Sequence, residues 1–169
     1  MSLINMMAQE LQLEGQKTRM LMELVPEEHW DWKPHPKSYT LGQLTTHLGH
    51  LLSWGGHTLR REELDLNPPG QEPLKGPRYD SLADALGLFD TNLQDCLEAF
   101  KESKDEDLNK TWTLLSGGHT ILAMPRGAIL RSFVISHMIH HRAQLGVYLR
   151  LKDVPLPPIY GPTADERAM

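Results

Sequence analysis

Cysteine is almost absent from this chain: Cys96 is the one thiol among 169 residues. A single thiol cannot close an internal disulfide, which excludes a disulfide-stapled scaffold and leaves Cys96 as a small buried apolar side chain in a helical segment. No apolar run reaches the roughly 18 residues of a membrane span, and no apolar core with a cleavage site opens the chain. These absences predict a cytoplasmic location and no membrane partner. Clusters of Lys and Arg are lacking too, and the formal net charge is −5, so no nucleic-acid partner is expected. There is no internal repeat, no low-complexity tract and no linker between domains. What is present is enough apolar matter for a core, 40 % of residues, and a length that suits one domain over residues 1–169.

The apolar residues fall into four helical stripes. Ser2 to Leu24 reads as the first helix, with Leu3, Met6, Met7, Leu11, Leu13, Met20, Leu21 and Leu24 near a helical period. Its methionines read as core filling. Pro26 ends it. Val25 to Tyr39 reads as a connector pinned to the core by Trp30 and Trp32. Thr40-Leu41-Gly42-Gln43 is a capping box opening a second helix to about Arg60. Glu62 to Asp80 is rich in Pro and Gly and reads as a long surface loop. Ser81 and Asp84 open a third helix, striped with Leu82, Leu86, Leu88, Phe89, Leu93, Leu97 and Phe100. Ser116-Gly117-Gly118 between two apolar runs predicts a short hairpin, and Pro125 to about Leu151 reads as the fourth helix. The tail Lys152 to Met169 carries Pro155, Pro157, Pro158 and Pro162 and is expected to pack as an extended strap. The expected class is therefore all-α, a four-helix bundle with a short hairpin before the last helix and an extended C-terminal tail.

The nine histidines differ in where that bundle would place them. On a helix advancing about 100° per residue, His137 and His141 lie one turn apart on one face, within the stripe set by Leu130, Val134, Leu145 and Tyr148. Both imidazoles can reach one point. His47 lies at the edge of the arc of Leu44, Leu48, Leu51 and Leu52 on the second helix. His50 and His57 point away from it and read as solvated; His140 falls on the flank. Arg142 is placed on the opposite flank, facing solvent, a partner subunit or a carboxylate, and Gln144 is placed to hydrogen-bond a ligating histidine. From spacing alone the inward histidines have two readings. They are either satisfied core residues, or three neutral imidazoles from two segments that form an open metal site.

Several stretches together resemble the DinB-like superfamily of small helical bundles, also called YfiT-like. They are Trp32-Lys33-Pro34, the Leu44-x-x-His47 segment leading to Trp54, His137-x-x-His140-His141-Arg142-x-Gln144 with Tyr148-Leu149-Arg150, and the closing Pro158-x-Tyr160-Gly161-Pro162-x-Ala164-Asp165-Glu166. The resemblance spans nearly the whole chain; Ala143 departs from it where many relatives place glycine. It implies a divalent metal, nickel or zinc, held by His47, His137 and His141, and it implies a homodimer. Some relatives use such a centre for thiol chemistry, with a low-molecular-weight thiol as cosubstrate. The resemblance therefore implies a metal-dependent thiol S-transferase or related small-molecule enzyme, with a non-catalytic metal-stabilised binding or sensing module as the alternative. No residue is assigned a catalytic role. A zincin-type protease is disfavoured by Met138, which stands where that motif needs its glutamate base.

Overall fold

A computed structural model describes residues 2–166; the last three residues of the expected tail, 167–169, lie outside the described residues. Helix α1 (Leu3–Met22) starts at Ser2, whose side chain accepts from the Asn5 amide. Its inward face carries Ile4, Met7, Leu11, Leu21 and Met22, while Met6 and Met20 stay exposed, so only part of the methionine set fills the core. A 3₁₀ turn (Glu27–His29) leads to the two tryptophans. The Trp30 indole packs against Gly42 so closely that any Cβ there would overlap the ring; a side chain at Gly42 would displace the anchor. Trp32 meets Tyr148 edge to face at 5.7 Å.

Helix α2 (Leu41–Leu51) opens on the capping box, Thr40 and Gln43 each accepting from the other's amide. The single second helix of the sequence reading is two, α2 and α3 (Ser53–Arg60). The break follows from local chemistry. Ser53 Oγ donates to the His50 carbonyl at 2.8 Å, and Gly55 lets α3 approach Cys96 on the next long helix more closely than a Cβ would permit. Helix α4 (Leu82–Glu102) is capped by Ser81 as expected. It packs on α1 and on α2 and α3, while α6 (His137–Arg150) packs on α2 and α1. The first two helices therefore face each other across the bundle.

The all-α expectation is overturned. Strand β1 (Glu63–Asp65) pairs parallel with β2 (Thr111–Ser116), which pairs antiparallel with β3 (His119–Pro125) to give a three-stranded mixed sheet. The predicted hairpin is β2–β3. Its two-residue loop, Gly117-Gly118, has both φ angles positive, as a primed hairpin turn requires. Strand β1 comes from the segment read as loop, because three residues are too few to show alternation. Trp112 and Leu114 point inward from β2 and form a second apolar cluster with Ile129.

The last helix is also not uniform. A short α5 (Arg126–Ile129) runs into a π-helical stretch (Leu130–Ser136) before α6 begins at His137. An i→i+5 ladder adds a residue to the turn and shifts the phase of everything after it. The buried stripe of α6 is accordingly Met138, Arg142, Leu145 and Leu149, with the histidines along its half-buried edge. Beyond Arg150 the tail runs extended over the bundle, with Val154, Leu156 and Ile159 packed on the core. None of the described helices is long and apolar enough to cross a membrane.

Candidate metal centre

The sequence-predicted trio converges. His47, His137 and His141 each offer a ring nitrogen, and these atoms all lie within 4.8 Å of one another. Their ring centroids are 4.5 Å (His47–His141), 4.6 Å (His137–His141) and 5.4 Å (His47–His137) apart. Helix α2 supplies His47 from the turn beside the buried Leu44 and Leu48. Helix α6 supplies the pair immediately after the π-helical stretch. Tyr39, at the mouth, lies 5.5 Å from the His47 ring and 6.3 Å from that of His141.

Hydrogen bonds set how the pair is protonated. His141 Nδ1 faces Gln144 Oε1 at 2.7 Å, so that nitrogen carries the hydrogen and Nε2 presents a lone pair. Contact with the Phe133 backbone opposes the effect of burial on the His137 ring. The two Nε2 atoms meet at 2.9 Å, the distance of an N–H···N hydrogen bond in the metal-free state, with the His141 nitrogen as acceptor. Two imidazole nitrogens held about 2.1 Å from one tetrahedral ion would stand about 3.4 Å apart, a small separation from what is seen.

Protons are held weakly here. Burial lowers the His47 pKa to about 4, with the His141 and His137 rings adding to the effect. Burial also pushes His137 and His141 down; the Phe133 and Gln144 contacts oppose it only in part. All three rings are therefore neutral near pH 7, the state in which imidazole ligates a metal.

A profile of the DinB family matches residues 1–168. This chain belongs to the DinB family. Its fold is shared with a DinB-like protein of Bacillus subtilis (YjoA), at a TM-score of 0.70 and 17 % identity over 94 % of this chain and 99 % of that one. A DinB-like protein of Bacillus cereus ATCC 10987 superposes with a TM-score of 0.67 at 21 % identity, over 91 % of this chain and 95 % of that one. At these identities the likeness is one of fold. A 45-residue stretch is 44 % identical to the Bacillus subtilis (strain 168) protein named Uncharacterized protein YrdA, taking in 27 % of this chain and 26 % of that protein. The chain thus spans about a quarter of the length of that curated relative.

Other sequence-predicted positions of this DinB-family chain fall differently. Arg142 is not on a solvent flank: it is 2 % exposed and reaches a carboxylate. Its Nη2 pairs with Glu14 Oε2 at 2.6 Å and bonds the Tyr160 hydroxyl at 2.6 Å, while Nη1 donates to the Glu14 carbonyl at 3.1 Å. The Tyr160 hydroxyl itself donates to Glu14 Oε2 at 2.5 Å. Burial alone would raise the Glu14 pKa, but hydrogen bonds from Tyr160, Lys17 and Arg142 outweigh it and hold the carboxyl below its ordinary value. Cys96 is fully buried, and burial pushes its thiol up to about 12, consistent with an inert core residue. His140 is exposed, with its ring 5.0 Å from that of His141.

His50 and His57, expected to be solvated, are both half-buried, and burial lowers both pKa values. His50 lines a cleft of about 270 Å³ that opens beside His47 under the 76–80 segment. No spacing signal in the sequence marks this cleft, because its far wall comes from a loop. Trp30 Nε1 donates to the Tyr79 carbonyl at 3.2 Å and ties that loop down.

Proposed function

We propose that His47, His137 and His141 hold a divalent cation, nickel or zinc, and that the centre serves a metal-dependent thiol S-transferase. The observation that carries the metal reading is the convergence of three ring nitrogens from two separate helices, all within 4.8 Å of one another. Burial lowers the proton affinity of all three rings, which favours the neutral imidazoles that a metal ion needs as ligands. Three imidazoles suit nickel or zinc and leave at least one coordination position open.

A divalent ion bound there would supply the charge that turns a thiol into a thiolate near neutral pH. The chain's own residues do the rest. Gln144 fixes the His141 tautomer and aims its Nε2. Tyr39 screens the His47 and His141 rings from bulk water. No thiol of the chain is available, since Cys96 is buried and protonated, so the sulfur nucleophile arrives with the cosubstrate. In the transfer, the thiol loses its proton to solvent, its sulfur bonds to an electrophilic carbon, and the leaving group departs with the electron pair of the broken bond.

The test is metal content of untagged protein by elemental analysis, followed by turnover with a small thiol and an electrophilic acceptor. Near one equivalent of nickel or zinc is expected, falling below a tenth in His47→Ala with the helical circular dichroism retained. An unchanged metal content in that variant overturns the ligand assignment. Metal uptake with no conjugate formed across a broad thiol panel would assign the chain to the binding-module alternative.

A further inference from the structure

Helix α1 carries an apolar row that the bundle leaves uncovered. Ten large hydrophobic side chains among the described residues are exposed, and four of them, Leu3, Met6, Leu13 and Met20, stand on this one helix. The other six are spread over five separate segments. Solitary exposed hydrophobics are ordinary on a protein surface; an aligned row of them marks an interaction face. Positions 3, 6, 13 and 20 fit a heptad seam in which steps of three and four residues alternate, and the remaining places of that seam are Glu10, Lys17 and Leu24. Such a seam runs nearly straight along the 20 residues of the helix, about 30 Å. Met20 and Leu24 share a surface hollow with Pro155, Pro157 and Pro158 of the tail. Tyr160 widens the face beside Lys17, whose Nζ lies 4.1 Å from the centre of its ring.

The order of the seam selects its partner. Read forwards it is Leu, Met, Glu, Leu, Lys, Met, Leu; read backwards, the apolar residues repeat and the two charges exchange places. A row with that symmetry complements itself when a second copy runs antiparallel. A two-fold axis near residue 13 sets Leu13 against the partner's Leu13, Met6 against the partner's Met20, Leu3 against the partner's Leu24 and Glu10 beside the partner's Lys17. A parallel pair would instead oppose Glu10 to the partner's Glu10 and Lys17 to the partner's Lys17, which like charges disfavour. Glu10 is tied to Arg131 and Lys17 to Glu14 within the chain, yet their side chains stay 38 % and 29 % exposed, so both charges are held in place on the seam. The flank of the seam away from the core carries the exposed Gln9 and Gln16, which bring no charge to repel a copy.

We infer that α1 is the face through which two copies of this chain associate, antiparallel about a two-fold axis near Leu13. The family resemblance implies only that the chain pairs; the face and the direction come from the seam. None of the seam residues belongs to the metal centre, so the inference stands apart from that reading. Pairing removes the exposed parts of five apolar side chains of each copy from water, with Leu13 at the middle of a self-complementary interface. The methionines suit such a face, because an unbranched thioether adapts to the side chain opposite it.

The test is sedimentation equilibrium of the full chain, which should show a reversible dimer. Leu13→Asp would set two carboxylates together on the axis and should weaken that dimer at least about a hundredfold. Because Leu13 is 58 % exposed, circular dichroism and melting temperature should stay as in the parent. Oxidative cross-linking reads the direction of pairing; Cys96 is fully buried and takes no part. Leu13→Cys should give a disulfide-linked dimer. Met6→Cys and Met20→Cys should each cross-link poorly alone and efficiently when the two are mixed. A dimer that survives Leu13→Asp, or Met6→Cys that links readily to itself, overturns the inference. So does a chain that stays monomeric at every concentration, whether or not another protein then proves to cover α1.

Discussion

Residues 141 and 142 are neighbours on one helix and belong to opposite kinds of site. Arg142 points into the bundle, where Glu14 and Tyr160 meet it, and no buried nitrogen of its guanidinium lacks a partner among the described residues. His141 points along the half-buried edge, where its Nε2 lies 2.9 Å from that of His137 and its proton affinity is lowered. The arginine cluster is completed by the chain itself; the imidazole cluster brings three neutral ring nitrogens together with no ion pair to any of them among the described residues. Burial and polarity alone do not distinguish them. What distinguishes a structural polar cluster from a candidate site is whether donors and acceptors balance within the fold.

The largest effect should come from breaking the balanced side. Arg142→Ala would strand the Glu14 carboxylate in the bundle and should cost about 3–5 kcal/mol by urea denaturation. The double variant Glu14→Gln/Arg142→Met, which removes both charges, should cost clearly less. If the two variants were equally damaging, the pair would contribute only through packing, and the contrast with the histidines would weaken.

Acid titration should then separate the clusters. A histidine in the unfolded chain takes a proton near pH 6.5, whereas His47 in the fold resists it down to about 4. Between those values the unfolded chain binds more protons, so the metal-free protein should lose stability as pH falls through that window. His137, His141, His50 and His57 shift in the same direction and act with the same sign. Glu14 is the later event: its carboxyl is held below the ordinary 4.5, so its contribution is intact above that pH and disappears below it. Urea midpoints measured from pH 8 to 3 should therefore fall in two stages, with His47→Phe reducing only the first. A single stage centred below pH 4.5 would show that the imidazoles protonate as freely in the fold as outside it.

The smallest effect is expected at the rim of the arginine cluster. Tyr160→Phe removes one hydroxyl that bonds both partners and should cost about 1–2 kcal/mol while leaving metal content unchanged. A fall in metal content would mean that the two clusters communicate through α6.

The histidine trio was legible because its signal is local: His137 and His141 are one turn apart, and His47 follows a capping box that fixes the start of α2. The caps at Thr40 and Ser81 and the diglycine hairpin were legible for the same reason. Arg142 was not, since its partner Glu14 lies 128 positions away, and a phase carried forward from Leu130 and Val134 passes through a turn that is not α-helical. The strand Glu63–Asp65 was hidden because its register with Thr113, Leu114 and Leu115 is a tertiary fact. The cleft was hidden because Asp31, Thr46 and Arg78 come from three segments that share no period.

The widened turn from Leu130 to Ser136 gives the last rod of the protein a rotational joint. Upstream of it, Ile129 is aimed at the Trp112 cluster on the sheet; downstream, Leu145 and Leu149 are aimed at the bundle. The two aims need not share one angular setting. The sheet end can therefore be remodelled over evolutionary time without swinging His137 and His141 away from His47.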